Sequence, residues 1–296
     1  MNFVARKAVA GACLVALAGP VWANATSTAT FGLVTVTLTD LNPDDGIAPS
    51  IAFLSNPVRY AGGAYLYGEA ETGLYGSYDP GHDLRRYDKA GSWQTTNVRG
   101  AAQTGLASAV GEVLGDAGGV GFSSLSVTGT ALSGDAQSAR YYSYAGVPNS
   151  HDNKQFILSP YTQVTFSVQA TLSAQFTLGY TAGALEGESA GANLALFAGG
   201  LSADGHSMLE DLQQHGIGVN YLDGTAAGGA SESWSGLMAA SYSNWSGHNS
   251  QGQFWADGAV GGHSVMLSPV PEPASYGLLL SGLGVLAGVA RRRRRA

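Results

Sequence analysis

Strict alternation of apolar and polar residues over Thr162 to Tyr180 constrains the fold of this chain more than any other feature. From Val164 to Tyr180 every second position is apolar or aromatic, and Thr, Ser and Gln fill the intervening positions as far as Thr177. A two-residue period places each set on one face of a β-strand, whereas a helix would mix the two sets. The pattern predicts one long strand, or two strands sharing a bend, with one face on a core and the other in water.

The same period recurs near the start, where Val34, Val36 and Leu38 alternate with threonines. Shorter candidate strands, separated by Gly, Asn, Asp and Ser, cover residues 50–54, 63–67, 123–132, 140–144, 156–158, 193–197, 218–222, 237–243, 252–255 and 263–267. Two stretches, Ala101 to Leu114 and Ser207 to Gln214, are predicted as short helices. This succession of strands predicts an all-β fold, namely an antiparallel β-sandwich (jelly-roll-like) or a barrel.

The first residues have the order of a secretory signal. Arg6 and Lys7 precede an apolar run that ends at Val21, and small residues follow at Ala23 and Ala25. This order predicts a signal peptide over residues 1–25, exported by the Sec machinery and cut by signal peptidase after Ala23 or Ala25. The alternative is a retained N-terminal anchor, for which the apolar run is short.

The last residues combine an uncharged stretch, 274–290, with five consecutive arginines, Arg291, Arg292, Arg293, Arg294 and Arg295. A helix over 274–290 spans about 25 Å, which is close to the roughly 30 Å of a bilayer's hydrocarbon core. Basic residues flanking a transmembrane helix stay on the cytoplasmic side. The sequence therefore predicts a transmembrane helix that leaves the preceding domain facing outward.

Immediately before this helix stands Val270-Pro271-Glu272-Pro273. The motif, the apolar segment and the arginine tail together resemble the PEP-CTERM sorting signal of Gram-negative bacteria that make extracellular polysaccharide. The resemblance covers residues 270–296. It implies that a membrane-embedded exosortase recognises Pro271, Glu272 and Pro273, removes the anchor and passes the domain from the inner membrane to the cell surface or matrix.

The ectodomain between the two ends, residues 26–268, is acidic. It keeps seven basic and 20 acidic residues, so its net charge is about −13, and it has no cysteine. Such a charge disfavours nucleic acid and anionic lipid as partners and favours divalent cations. Without disulfides the ectodomain depends on its own core, which a chain of this length can supply.

An acidic segment after the first strand offers oxygen ligands from Asp40, Asn42, Asp44 and Asp45 at the spacing of a calcium loop. The glycine comes one place later than in an EF-hand, and the twelfth position is Ile51 rather than an acid. Pro-Asp-Asp-Gly is also a turn signal in its own right. We interpret the segment as a β-turn. The alternative is a calcium site, which makes Ca²⁺ the one candidate cofactor.

Gly187-Glu188-Ser189-Ala190-Gly191 matches the G-x-S-x-G nucleophile elbow, with Ser189 as the candidate nucleophile. An esterase of that type requires a strand before the serine, a helix after it and an acid and histidine downstream. Residues 193–197 are the candidate for that helix. Four histidines lie downstream, namely His206, His215, His248 and His263. No oxyanion-hole stretch precedes the motif, and a chain this rich in Gly and Ser produces such matches by chance.

Carboxylates lie among aromatic residues in two regions. The first contains Glu69, Glu71, Asp79, Asp83 and Asp88 with Tyr65, Tyr67, Tyr75, Tyr78, Tyr87 and Trp93, and the second contains Trp234, Tyr242, Trp245, Phe254 and Trp255. Carboxylates beside rings are typical of a glycosidase or a carbohydrate-binding surface, although ordinary strand and loop chemistry also produces them.

These features predict a non-enzymatic surface or matrix protein that associates with exopolysaccharide or neighbouring envelope proteins. The alternative is a secreted hydrolase, either an esterase using Ser189 or a glycosidase using acids between residues 69 and 88. The two hypotheses differ in the structure they require after Ser189, because the esterase needs a helix there.

Overall fold

The computed structural model describes residues 24–54, 65–76, 84–93, 97–116, 120, 122–134, 137–147, 155–178, 187–221, 228–265 and 281. Within these residues the chain forms fourteen strands. They are β1 (Asn24–Asp40), β2 (Ile51–Phe53), β3 (Tyr65–Gly76), β4 (Leu84–Trp93), β5 (Val98–Gln103), β6 (Ala107–Gly115), β7 (Phe122–Leu132), β8 (Gln137–Val147), β9 (Phe156–Leu158), β10 (Thr162–Phe176), β11 (Ser189–Leu201), β12 (Met208–Asn220), β13 (Ala230–Asn244) and β14 (Ser250–His263).

The strands form two antiparallel sheets that pack face to face as a sandwich. The six-stranded sheet has the order β13-β10-β1-β7-β6-β5. The eight-stranded sheet has the order β12-β11-β14-β8-β3-β4, and the short strands β2 and β9 extend it alongside β14. The predicted all-β, antiparallel, sandwich-like class is confirmed.

The strand with the strict alternation is β10, which lies between β13 and β1 in the six-stranded sheet. In β10 every second residue from Val164 to Phe176 is at most 3% exposed, whereas the Thr, Ser and Gln side chains face outward. The buried rings of Phe166 in β10, Phe156 in β9 and Phe254 in β14 pack together, with ring centroids 4.3 Å apart for Phe166 and Phe254. This aromatic cluster forms part of the core between the two sheets.

Where β3 packs on β5 and β6, glycine faces glycine across the sheets. A Cβ on Gly68 would lie 2.7 Å from the carbonyl oxygen of Gly111, and one on Gly100 would lie 2.7 Å from that of Gly68. A Cβ on Gly111 would lie 2.3 Å from the carbonyl oxygen of Tyr144 and 2.9 Å from that of Glu69. We call Gly68, Gly100 and Gly111 the glycine seam, where backbone packs directly on backbone.

The two predicted helices are wrong. Residues 101–114 form the β5–β6 hairpin, and residues 207–214 enter β12. The first error arose because the inward positions of β5 and β6 are largely Ala and Gly, which carry a weak two-residue pattern. At Gly100 and Gly111 the facing sheet leaves no room for a side chain. The second arose because β12 is an edge strand exposed on both faces near Met208, so burial imposes no alternation.

The predicted ends of the chain lie largely outside the described residues. Of the predicted signal peptide, only Asn24 and Ala25 are described, and they belong to β1, where Ala25 is buried and pairs with Phe176 and Ala131. Residues 270–296 are outside the described part except for Ser281. Among the described residues, no helix is long and apolar enough to cross a membrane.

The glycine seam yields the first test. Gly111→Ala is expected to lower the free energy of unfolding by more than about 2 kcal/mol, because the new methyl group collides with two carbonyl oxygens that cannot move without separating the sheets. Gly216→Ala is the matched control, since its Cβ meets ordinary contacts at 3.7 and 3.9 Å. Urea denaturation of both variants measures the difference, and equal stability would contradict the backbone-on-backbone packing.

Candidate functional site

Outward-facing residues of four neighbouring strands in the eight-stranded sheet form an aromatic and acidic surface. The inward positions of β3 are filled by Gly68, Ala70 and Thr72, so the residues between them point away from the core. Register then places Glu69 opposite Tyr144 of β8, and Glu71 opposite both Tyr142 of β8 and Tyr87 of β4. We call this surface the tyrosine face; it comprises Tyr67, Tyr87, Tyr142, Tyr144, Glu69, Glu71 and Asp257.

Tyr67 and Glu69 form the first fixed pair of the tyrosine face. The Tyr67 hydroxyl donates a hydrogen bond of 2.7 Å to Glu69 Oε2, and the Tyr67 and Tyr144 rings lie 6.0 Å apart at 57°. Burial, followed by the hydrogen bond to Glu69, raises the pKa of Tyr67 well above its ordinary value. The phenol therefore stays protonated and serves as a hydrogen-bond donor at neutral pH.

Asp257 of β14 lies beside the same tyrosines. The Tyr144 hydroxyl is 3.4 Å from Asp257 Oδ2, at the long end of a hydrogen bond. Burial raises the pKa of Asp257 to about 6, and the bond from Tyr144 opposes that rise without cancelling it. Burial and the charge of Asp257 also raise the pKa of Tyr144, and burial with Glu69 and Asp257 raises that of Tyr142. Asp257 therefore changes its charge within the range of ordinary environmental pH.

Glu71 is held by an arginine at the exposed edge of the tyrosine face. Arg85 of β4 donates from Nε to Oε1 over 2.6 Å and from Nη2 to Oε2 over 2.7 Å. This two-pronged pairing fixes the plane of the carboxylate. The neighbouring rings are open to solvent, because Tyr87 is 50% exposed and Tyr142 is 41% exposed. The surface thus presents two accessible rings beside an oriented carboxylate.

The sequence predicts part of this surface. Of the acids that the sequence places among aromatic residues, Glu69 and Glu71 belong to it, whereas Asp79 and Asp83 lie outside the described residues. Asp88 has a different role, since its Oδ2 accepts a hydrogen bond of 2.9 Å from the backbone N–H of Ala101 in the other sheet.

Among the aromatic residues of that region, Tyr67 and Tyr87 belong to the tyrosine face. Tyr65, Tyr75 and Trp93 are placed only as positions in β3 and β4, and Tyr78 lies outside the described residues. Sequence reasoning missed Tyr142, Tyr144 and Asp257. The signal for the first two was the alternation in residues 140–144, whose outward positions include both tyrosines.

The second aromatic region does not form one surface. Tyr242 and Phe254 are core residues. Trp255 stacks on Phe197 with ring centroids 5.2 Å apart, and Trp234 stacks on His215 at 3.9 Å. Trp245 is 56% exposed. These residues therefore have separate structural roles.

Ser189 lies at the start of β11 and not in a nucleophile elbow. Residues 189–201 are a strand, so the helix that an esterase of this type needs after the serine is not formed. Ser189 Oγ and His263 Nδ1 lie 2.8 Å apart, because the two residues are direct cross-strand partners. A serine–histidine hydrogen bond is one element of a hydrolytic site, but here it occurs within a continuous sheet, which removes the topological support for the esterase alternative.

The Asp40 to Asp45 segment is a turn, as interpreted from the sequence. Asp40 Oδ1 accepts from the backbone N–H of Asn42 over 2.9 Å, and Asp45 Oδ1 accepts from that of Ile47 over 2.7 Å. Gly46 adopts a φ of 71°, which favours glycine. Across the described ranges, no three acidic, histidine or cysteine side chains are grouped closely enough to hold a metal ion.

Comparison with known proteins identifies the C-terminal segment. Residues 269–295 match the family profile described as the PEP-CTERM protein-sorting motif, which confirms the resemblance stated above. No curated protein matches the chain. Among solved structures, the chain is similar to one from a study titled as the structural basis for the promiscuous specificity of carbohydrate-binding modules of the β-sandwich superfamily. The identity is 9%, with 75% of this chain and 98% of that chain covered, and the TM-score of 0.13 does not establish a shared fold.

The raised pKa of Asp257 gives a prediction about stability and pH. The folded chain keeps a proton on Asp257 up to about pH 6, whereas the unfolded chain releases it near the ordinary value of 3.8. Stability therefore falls as pH rises through this window. Asp257→Asn cannot ionise, so its Tm relative to wild type is expected to rise by at least about 2 °C between pH 4 and pH 7.5.

Calorimetry of wild type and variant at both pH values makes this measurement. Glu210→Gln, a change of the same kind at an exposed position of β12, is the control. A Tm difference that is the same at pH 4 and pH 7.5 for Asp257→Asn would contradict the burial of an ionisable carboxyl in the tyrosine face.

Proposed function

We propose that this chain is a non-enzymatic protein of the cell surface or extracellular matrix, and that its sandwich binds polysaccharide through the tyrosine face. The PEP-CTERM motif implies export with a membrane-anchored sorting signal and processing by an exosortase. Two further observations support a glycan ligand: the chemistry of the tyrosine face and the charge of the ectodomain.

The tyrosine face combines the two kinds of group that sugars require. The exposed rings of Tyr87 and Tyr142 offer flat apolar surfaces for the C–H faces of pyranose rings, with phenol hydroxyls at their ends. Glu69 and Glu71 offer carboxylate oxygens that accept hydrogen bonds from sugar hydroxyls. The observation that carries the proposal is the placement of these two exposed rings beside Glu71, whose carboxylate Arg85 already orients.

The charge of the protein selects among polysaccharides. An ectodomain with a net charge of about −13 repels uronic-acid or sulfated chains at low ionic strength. Within the tyrosine face the acids Glu69, Glu71 and Asp257 are accompanied by Arg85 of β4. We therefore expect a neutral or amino-sugar-containing chain as the ligand, bound along the sheet.

Binding to the tyrosine face is tested with exopolysaccharide extracted from the native host. Tyr142→Ala is expected to weaken binding about tenfold, because it removes one stacking ring, and the double variant with Tyr87→Ala is expected to weaken it further. Affinity electrophoresis in gels containing the polysaccharide measures the effect.

Leu237→Ala is the control, since it removes a side chain that is 67% exposed on the opposite sheet. Retardation that is the same for wild type and both tyrosine variants would contradict the assignment of the binding face. Release of new reducing ends from the polysaccharide during incubation would contradict the non-enzymatic part of the proposal and favour the hydrolase.

The processing route makes a separate prediction. We propose that signal peptidase cuts after Ala23, because a cut after Ala25 would remove two residues of β1. We further propose that exosortase removes residues 274–290, the predicted transmembrane helix, together with Arg291 to Arg295. The intact mass of protein from the native host is then expected to begin at Asn24 and to lack the arginine tail, with the product at the surface or in the medium.

A variant with Pro271, Glu272 and Pro273 replaced by alanine is expected to keep its C-terminal tail and to remain in the inner-membrane fraction. Wild-type protein that still carries Arg291 to Arg295 would show that the tail is a permanent anchor and would place the function in the periplasm. This outcome leaves the polysaccharide test above unaffected, so the two parts of the proposal fail independently.

A further inference from the structure

A cleft of about 410 Å³ opens at one end of the sandwich, away from the tyrosine face. It lies between the β11–β12 turn, residues 202–207, and the β13–β14 turn, residues 245–249, with Ile157 of β9 and Leu201 in its walls. Its volume is within the roughly 300–1,000 Å³ of small-molecule sites. All of its lining residues lie in the described part of the chain.

Buried side chains of β13 fix one wall of the cleft. The Tyr242 hydroxyl donates to the Leu201 carbonyl oxygen over 2.7 Å and bonds Ser250 Oγ over 2.6 Å. Asn244, which is 1% exposed, donates from Nδ2 to the carbonyl oxygens of Ser159 and His248 over 2.9 and 2.8 Å. The cleft is therefore held open by the core, and binding a ligand there does not require the turns to order.

The β11–β12 turn forms the other wall and is fixed by its own hydrogen bonds. Ser202 Oγ bonds Asp204 Oδ1 and accepts from the backbone N–H of Ser207 over 3.0 Å. The same Asp204 oxygen accepts from the backbone N–H of His206 over 3.0 Å. The bonds from Ser202 and His206 lower the pKa of Asp204. The carboxylate of Asp204 therefore has its hydrogen-bond partners within the turn.

Several polar side chains that line the cleft remain available for a ligand. Across the described ranges, the side chains of His248, Asn249 and Gln251 make no hydrogen bond to protein. None of the described residues that line the cleft is acidic, lysine or arginine. The cleft therefore offers a ligand amide and imidazole groups, serine hydroxyls, and the apolar surface of Ile157, Leu201 and Ala203. Trp245, whose side chain is exposed, is the residue before the lining residue Ser246 in the chain.

We propose that this cleft is a second binding site, which takes a single neutral sugar unit such as the end of a glycan chain. Amides and hydroxyls pair with sugar hydroxyls, which both donate and accept, and the apolar wall suits the C–H face of the ring. A charged ligand would find no carboxylate, lysine or arginine among the described lining residues. This site differs from the tyrosine face in position and in the length of chain it accepts, and it stands whether or not that face binds polysaccharide.

The test uses the full-length protein in a zwitterionic detergent, so that no sugar-based detergent competes. Glucose, galactose and N-acetylglucosamine are titrated separately, and saturation-transfer NMR gives a Kd for each. At least one sugar is expected to bind, and Asn249→Ala and Gln251→Ala are each expected to raise its Kd about fivefold, the effect of one lost hydrogen bond. Ala203→Trp, which fills the cleft, is expected to abolish binding.

Gln169→Ala, which removes an exposed amide on the outer face of β10, is the control and is expected to leave the Kd unchanged. Tyr142→Ala is measured beside it to distinguish the cleft from the tyrosine face. The absence of binding by all three sugars would overturn the proposal. Binding that Asn249→Ala, Gln251→Ala and Ala203→Trp leave unchanged would also overturn it, and a loss confined to Tyr142→Ala would assign the sugar to the tyrosine face. Unchanged circular dichroism and Tm of each variant exclude unfolding as the cause.

Discussion

The contact of backbone with backbone at the glycine seam is the constraint on which the functional face depends. Gly111 lies directly beneath the carbonyl groups of Glu69 and Tyr144, the two residues at the centre of the tyrosine face. In most sandwiches a layer of side chains about 10 Å thick separates the sheets and adapts by rotamer changes. Here the two sheets touch backbone to backbone at Gly68, Gly100 and Gly111, so the strands that carry the rings and carboxylates rest directly on the second sheet at these positions. Rigid elements hold binding groups more accurately than loops do.

Some of the carboxylates that give the surface its negative charge also join the two sheets along their edges. Sheet edges expose unpaired N–H groups, and proteins must protect them. Asp88 of β4 accepts from Ala101 of β5, Asp211 of β12 accepts from Ser241 of β13 over 2.8 Å, and Glu232 of β13 accepts from Gly218 of β12 over 3.0 Å. Each of these carboxylates joins an edge strand of one sheet to an edge strand of the other. Part of the excess of acids is therefore structural, which a residue count alone does not reveal.

The sequence predicted those features that depend on local pattern. The alternation in β10 and the first strand, the antiparallel sandwich and the turn at Asp40 to Asp45 follow from periodicity and turn chemistry. The β5–β6 hairpin was mistaken for a helix because Ala and Gly face a seam that only the partner sheet defines. The candidate site was half found for the same reason. Tyr67, Glu69, Glu71 and Tyr87 are neighbours in sequence, whereas Tyr142, Tyr144 and Asp257 join them only through the register of β8 and β14.

Comparison of the acids indicates which one the fold does not need. Asp88, Asp211 and Glu232 each satisfy a backbone donor that would otherwise be open, so their placement stabilises the sandwich. Asp257 satisfies no backbone group among the described residues, and its bond from Tyr144 is long. Its raised pKa means that the folded state disfavours its charged form at neutral pH, so its ionisation costs stability. Its position beside exposed rings and an oriented partner acid is therefore the feature of Asp257 that the proposed binding role of the tyrosine face would use.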